Sequence, residues 1–299
     1  MHLARTPELT VEVDALAERH GGRVGLGPVL DGLDRRLRRT WAPCLTRHRA
    51  WTWDRQDRRD PQWWPQGVSP EPGGRHVAVS WYAKKGGVRI SFLSPARRRY
   101  RHVTLVVPTP TGHAPLRAHA GGIVWHGQRL YVAATRAGLW VCDTADIVEA
   151  DGEYLLPVRF QLAPSADHGD APLRFSFVSV DDATEPPSLV VGEYGNSRQT
   201  RRLVEFPVDG GDATVTRHDV VRAQGVARVQ DRLYITASHG PWALGSVWAG
   251  EPAGLRERRR ALPMGPEDLA YDRATDRLWT VTEHPRRRWV VCVRRSSFD

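Results

Sequence analysis

His119, Glu193, His239, Glu267, Asp268, Glu283 and His284 are the residues of this 299-residue chain whose types could carry acid–base chemistry. They do not cluster along the chain; each stands at the start or the end of a short apolar phrase. Gln66, His119, Arg174, Gln224, Glu267 and Asp268 open or precede such phrases, whereas Trp81, Tyr82, Thr135, Arg136, Glu193, Tyr194, His239, Glu283 and His284 close others. A His/Glu pair divides general acid and base roles if burial separates the two pKa values. The same pair could hold one divalent cation through carboxylate oxygens and imidazole. Linear spacing does not choose between them, because the chain has no HExxH, HxH or carboxylate-rich calcium loop. Walker, dinucleotide-glycine and GxSxG motifs are also missing, and Ser238-His239-Gly240 is only a tripeptide. No organic cofactor is expected.

These residues share a site only if the elements that carry them recur around a common axis. HAGGIVWHGQRLYVAAT, QGVARVQDRLYITASHG and PEDLAYDRATDRLWTVTEH are variations on one phrase: an apolar strand, a polar turn, then Arg-Leu-aromatic opening a second strand. Inner strands open at Gln66-Gly67-Val68, Gly121-Gly122-Ile123, Ser176-Phe177-Val178, Gln224-Gly225-Val226 and Glu267-Asp268-Leu269, at intervals of 55, 55, 48 and 43 residues. Four-stranded propeller blades have this length, and units of this kind cannot bury their faces singly. The expected fold is therefore an all-β, five-bladed β-propeller, with six blades as the alternative.

The last blade runs out of chain after its third strand. RAWTWD at 49–54 is the expected closing edge, since an open sheet would leave backbone groups unpaired. In such a ring, inner-strand starts and second-strand ends gather at one mouth of the channel. The expected catalytic set is His119, Glu267, Glu193, His239 and Glu283. Gln66, Trp64, Tyr82, Tyr194, Gln224 and His284 are expected to bind substrate. Gln66 and Gln224 occupy matching Gln-Gly-Val phrases, and the absent side chains of Gly121 and Gly122 would let a ligand or another backbone come close. Carboxylates at Glu267 and Asp268 could instead accept backbone hydrogen bonds from the turn.

Residues 1–45 read as a partly helical N-terminal extension and 46–299 as the propeller. Thr6 is the expected N-cap of a helix ending at Gly21-Gly22, and Leu30, Leu33 and Leu37 form one stripe of a second amphipathic helix. The arginine runs at 97–99, 258–260 and 286–288 read as solvated strand ends. The formal net charge of +9 is carried by 41 arginines and only two lysines. That imbalance has the mark of GC-rich coding, and no aromatic interleaving suggests base stacking, so no nucleic-acid partner is expected. Cys44, Cys142 and Cys292 share no metal or redox spacing and read as small core residues. Acids at Glu8, Glu12 and Asp14 interrupt the N-terminus before any apolar run, so a cytoplasmic protein with no membrane partner is expected.

WWPQGV (63–68), SWYAKKGGVRISFL (80–93), YRHVTLVVP (100–108), HAGGIVWHGQRLYVAATRAGLWVCDT (119–144), QGVARVQDRLYITAS (224–238) and PEDLAYDRATDRLWTVTEHP (266–285) resemble a family of actinobacterial β-propeller-like proteins. Many of these are exported and most have no assigned activity. The resemblance implies the propeller fold and, without an export signal here, a cytoplasmic paralogue recruited to a step such as specialised metabolism. Propeller lactonases and streptogramin lyases are more distant analogues, and their metal-ligand pattern is not matched residue by residue. The expected activity is acid–base transformation of a small molecule at the channel, of lyase, isomerase, cyclase or hydrolase type, with one divalent cation as an optional aid. The alternative is a non-catalytic propeller that binds a sugar, peptide or protein.

Overall fold

Period-two alternation of Val, Leu and Ile with small polar residues yields strands along most of the chain, and tight turns fold those strands into antiparallel runs. A computed structural model describes residues 1–165, 172–196 and 199–299. Most of the turn-rich connector at 164–172 lies outside the described residues.

The first run comprises Trp63–Pro70, Val77–Ala83, Val88–Ser94 and Arg99–Thr109. The second comprises Ile123–His126, Arg129–Ala134, Gly138–Asp143 and Glu153–Ser165. Phe177–Asp181, Ser188–Gly192, Arg202–Pro207 and Thr214–Arg217 make the third, and Ala223–Val229, Arg232–Ala237, Leu244–Gly250 and Arg256–Met264 the fourth. The fifth holds Pro266–Asp272, Arg277–Thr282 and Val290–Arg294, and takes its fourth strand, His48–Thr52, from the other end of the chain. Ala50 lies opposite Val291 and Trp51 opposite Val290, antiparallel, so the segment expected at 49–54 does fill this edge. Arg38–Thr40 adds one strand beyond it.

The innermost strands of successive runs are neighbours, and that of the fifth returns to the first, so they surround a common axis. The fold is mainly β and propeller-like. By hydrogen bonding the described residues form four sheets, because a short parallel pairing of Leu155–Pro157 with Thr104–Val106 merges the first two runs into one of thirteen strands. Between each pair of neighbouring runs lies an apolar cluster; that joining the fifth to the first contains Trp51, Val79, Trp81, Trp279 and Val290. Cys142 and Cys292 are buried, as expected, whereas Cys44 is half-buried beside His48.

The N-terminal segment differs from the sequence reading in two places. Thr6 caps no helix: His2–Arg5 pairs antiparallel with the last strand of the second run, and the Thr6 hydroxyl continues that pairing by accepting from Gln161 N at 2.9 Å. The helix starts later and spans Thr10–Arg19, burying Val13, Leu16 and Ala17. The second helix is confined to Leu26–Asp31; Gly32 ends it, and Leu37 then reaches the core in extended chain, packed with Trp53, Trp81 and Tyr100. Burial of Leu33 and Leu37 thus comes from tertiary packing rather than from a helical stripe. No helix among the described residues is long and apolar enough to cross a membrane.

Crowding at the axis explains two of the glycines. A Cβ on Gly122 would stand 2.3 Å from Val178 N, and one on Gly225 would stand 2.2 Å from Leu269 N. What approaches these glycines is the next inner strand, so removing the side chain is what lets the ring be this narrow. Gly225→Ala is expected to lose about 1–3 kcal/mol, measured by thermal or urea unfolding, because backbone rather than a movable side chain blocks the methyl. Gly27→Ala, with nothing within 4 Å, should lose nothing. Equal stability of the two variants would contradict the close inner packing.

Candidate functional site

Inner-strand starts and second-strand ends meet at one end of the axis, where the second strand of the fifth run and the first strand of the first run bring together residues 217 positions apart. Gln66 Nε2 donates to Glu283 Oε2 at 3.0 Å, and Gln224 Nε2 donates to Glu267 Oε1 at 3.0 Å. Glu267 and Glu283 are joined by a direct hydrogen bond. Two carboxyl groups, each held by a glutamine from a matching Gln-Gly-Val phrase, thus face each other. The Glu267 backbone is fixed as well, its carbonyl accepting from Thr236 Oγ1 at 3.2 Å and Thr280 Oγ1 at 3.1 Å. Glu267 is buried, whereas the Glu283 side chain keeps 20% of its surface and is the member of the pair that faces the mouth.

Burial, then the negative charge of Glu283 and that of Asp268, pushes the Glu267 carboxyl far above the ordinary carboxylate range. Burial also raises Glu283, but Gln66 and the positive charges of Arg288 and Lys84 oppose the rise. Two adjacent carboxyls whose surroundings separate their affinities share one proton over a wide pH range, with Glu267 as its holder. Asp268 has a different task. Its Oδ2 accepts from Val68 N at 3.1 Å and Ile123 N at 3.2 Å, tying the inner strand of the fifth run to those of the first and second. Of the two acids after Gly265-Pro266, therefore, one bonds backbone and the other faces the cluster.

Tyr82 stands close enough to Glu283 and Glu267 that burial and both charges raise its pKa, which keeps it a phenol. Its ring stacks on His119, centroids 4.4 Å apart and planes 25° from parallel. His119 is exposed on its outer side, and desolvation of the covered side holds its pKa below the ordinary value, so it is a neutral imidazole at neutral pH. Trp64 borders the same mouth: the His284 ring meets it edge-on at 5.8 Å and Lys84 Nζ lies 4.4 Å from its centre. Beneath them Arg288 is fully buried and donates from Nε to the Glu283 carbonyl at 2.8 Å. Burial lowers its pKa to about 10, which leaves it a cation at neutral pH.

Gln66, Tyr82, His119, Gln224, Glu267 and Glu283, with Trp64 and His284 at the rim, are the expected residues that the fold gathers. Two others are engaged elsewhere. Glu193 is buried in a two-pronged ion pair with Arg202, Oε1 to Nη2 at 2.8 Å and Oε2 to Nε at 3.0 Å, and also accepts from Arg174 N. Burial would raise its pKa, but Arg202 and its other donors hold it below the ordinary value. His239 turns outward along its own run, with Nε2 2.7 Å from Ser246 Oγ and 3.8 Å from Glu257. Tyr194 is half-buried next to Glu193 in the chain. Among the described residues no group of three or more His, Cys, Asp or Glu is placed to hold a metal ion. The carboxyls that meet are occupied by glutamine donors and by each other.

Lys84 and Arg288 are absent from the sequence-derived set. Arg288 sits in the run 286–288, which reads as a solvated strand end, yet it is 0% exposed. The available signal is alternation: Arg288 shares parity with Val290 and Cys292, the face of the strand that packs against the first run.

No protein-family model matches the chain, and no curated protein matches it. Among solved structures, the chain is similar to a gluconolactonase of Xanthomonas campestris (15% identity, 87% of each chain covered, TM-score 0.49). It is also similar to a glutaminyl cyclase of Myxococcus xanthus (12% identity, 86% of this chain and 96% of that one, TM-score 0.48).

The buried acid has a measurable consequence. Because the folded-state pKa of Glu267 lies above its ordinary value of 4.5, its contribution to stability is complete below that pH and is lost as pH rises through the folded value. Glu267→Gln, which has no proton to lose, is expected to flatten the fall in unfolding temperature from mildly acidic to alkaline pH. A wild-type slope in this variant, followed by thermal denaturation, would contradict a proton held at Glu267.

Proposed function

We propose that the protein is an enzyme that transforms a small organic molecule by proton transfer at the mouth of a five-bladed β-propeller. The observation that carries the reading is the carboxyl pair Glu267–Glu283, one member buried and proton-holding, the other at the mouth. Glu283 acts on the substrate, as a carboxylate removing a proton from carbon or from an attacking hydroxyl or amine. Glu267 does not touch the substrate; already protonated, it shares its proton in a hydrogen bond with the Glu283 carboxylate and keeps Glu283 the ionised member of the pair until Glu283 takes up the substrate's proton. The neutral His119, with the Tyr82 phenol beneath it, donates a hydrogen bond from its N–H to the developing oxyanion, and the proton taken up by Glu283 passes on to the leaving group or back to the product. Gln66 and Gln224 keep the two carboxyls in register, and Trp64 and His284 form an apolar rim for the substrate. Glu193 and His239 serve the loops of the third and fourth runs rather than the reaction. Elimination, isomerisation, cyclisation and hydrolysis all fit this proton balance.

The blade count in this reading rests on the five inner strands that neighbour one another in a closed cycle. A second reading, a binding module for a sugar or peptide, is favoured by the aromatic rim of Trp64 and Tyr82. The two readings separate in heavy water. A metabolite mixture incubated with the protein and followed by NMR should show deuterium incorporation or conversion of a component. Glu283→Gln should slow it by about 10²–10⁴-fold with the fold intact. Activity should fall below the raised pKa of Glu283, where the base is protonated, and again above the higher pKa of Glu267. Glu267→Gln should remove that alkaline limb while retaining measurable turnover. Ligand binding that survives both substitutions, with no component turned over by the wild type, would establish the module instead.

A further inference from the structure

A second concavity lies at the seam where the fifth run meets the first, away from the carboxyl mouth. It is formed at the opposite ends of the strands: Pro70 and Asp272 close inner strands, Val77 and Arg277 open second strands, and Ser94 ends a third. Its volume is about 1050 Å³. Strand register explains what lines it. Arg39 lies opposite Trp51, Arg49 opposite Cys292 and Cys292 opposite Trp279, so these residues, with Arg277 two positions from Trp279, share one face of the fifth run. Trp51 and Trp279 stack at 5.6 Å with planes 16° apart and form a flat, rigid wall. Arg75 and the turn Arg97–Arg98 face it from the first run.

Six arginines therefore line one cleft: Arg39, Arg49, Arg75, Arg97, Arg98 and Arg277. Among the described residues none of them forms an ion pair with a carboxylate. Elsewhere in the same fold arginines are matched, as in Arg159 with Asp146, Arg202 with Glu193 and Arg295 with Asp276. The one acid in the cleft, Asp272, is taken up by its own turn, accepting from Ala274 N at 3.1 Å and Thr275 Oγ1 at 2.5 Å. Arg97 is held in place by the carbonyls of Leu30 at 2.7 Å and Asp31 at 3.0 Å, which fix the guanidinium and leave its charge uncancelled. GC-rich coding accounts for many arginines but not for six converging on one cavity without carboxylates. Converging cations of like sign repel one another unless an anion sits between them, and the planar guanidinium fork matches phosphate and carboxylate oxygens two at a time.

We infer that this seam is a binding site for a small polyanion, a molecule carrying two or more phosphate or carboxylate groups, distinct from the carboxyl mouth. The ligand bridges arginines of the fifth run to those of the first and so clasps the closing strand His48–Thr52, which supplies Arg49 and Trp51. Its binding stabilises the ring closure as well as satisfying the charge.

Isothermal titration of the full chain with tripolyphosphate and, separately, citrate tests this at about 0.15 M salt. One site per chain with Kd below about 100 µM for at least one probe is expected, with a rise in unfolding temperature. The tighter probe tells phosphate from carboxylate. Arg49→Gln combined with Arg277→Gln should weaken binding about tenfold or more. Because that pair touches the closing strand, Arg75→Gln with Arg98→Gln, on exposed turns of the first run, provides a second variant with the same expected loss. Arg217→Gln, on the third run, and Glu283→Gln, at the mouth, should bind as wild type. The inference is overturned if neither probe binds, if both double variants bind as wild type, if binding is weak and at many sites, or if Glu283→Gln abolishes it.

Discussion

Everything at the mouth depends on pairing between the two ends of the chain. His48–Thr52 completes the fifth run against Val290–Arg294, and only with that edge filled does the fifth run lie against the first. Gln66 and Glu283 come from those two runs and meet at 3.0 Å. A carboxyl as buried as Glu267 is costly to desolvate, and a loosely closed ring would let water reach it and abolish the difference between the two acids. Closure is therefore an electrostatic condition of the site as much as a mechanical one. The glycines at the axis serve the same end by letting the inner strands approach until little room for solvent remains beside Glu267.

Much of this was legible in the sequence because strands advertise themselves by parity and turns by glycine. The phrase that ends in Arg-Leu-aromatic locates the second strands, and the openings at Gln66, Gln224 and Glu267 locate the inner ones, so the gathering of these side chains follows from repetition alone. What repetition cannot show is where a side chain points once the backbone ends its strand. Glu193 and Glu283 close equivalent strands, yet Arg202 on the adjacent strand captures the first carboxylate, while Arg288, beside the second, is spent on the Glu283 and Asp57 carbonyls and leaves the Glu283 carboxyl to Gln66. His239 likewise meets Ser246 and Glu257 before it can reach the axis. The choice is made by cross-strand neighbours. The N-terminal segment departs from its spacing for a related reason: Leu33 and Leu37 look helical, but Leu37 is buried against tryptophans supplied by other strands.

A second polar network shows how geometry without access remains structural. Ser91 Oγ lies 2.8 Å from His102 Nδ1, and His102 Nε2 lies 2.9 Å from Asp57 Oδ2, the order of a nucleophile, base and orienting acid. Ser91 and Asp57 are buried and His102 is half-buried between them, and Ser91 also accepts from Trp81 Nε1 at 2.8 Å. Burial, with Arg89 nearby, lowers His102 to about 4, so its free nitrogen accepts from the serine hydroxyl and its N–H donates to Asp57. Burial alone would raise Asp57, but His102, Arg89 and Tyr100 hold it well below the carboxylate range. No reactant can reach this serine, and the arrangement is a satisfied core network.

That network nonetheless reaches the mouth through Arg288. The guanidinium donates to the Asp57 carbonyl on one side and to the Glu283 carbonyl on the other, between the rings of Trp64 and Trp81. A fully buried cation is tolerated only where carbonyls and negative charge compensate its lost hydration, and Asp57, Asp60 and Glu283 supply that charge. In return the cation opposes the rise in the Glu283 pKa that burial alone would bring, while Glu267, against which no cation is set, keeps its proton. Beside the Gln66 hydrogen bond, part of the asymmetry between two chemically identical side chains is thus set from the helix Arg55–Arg59, which follows directly on the strand that closes the ring. Ring closure and the seat of this cation thus come from one stretch of chain, residues 48–60, while Gln66 and Gln224 hold the pair itself.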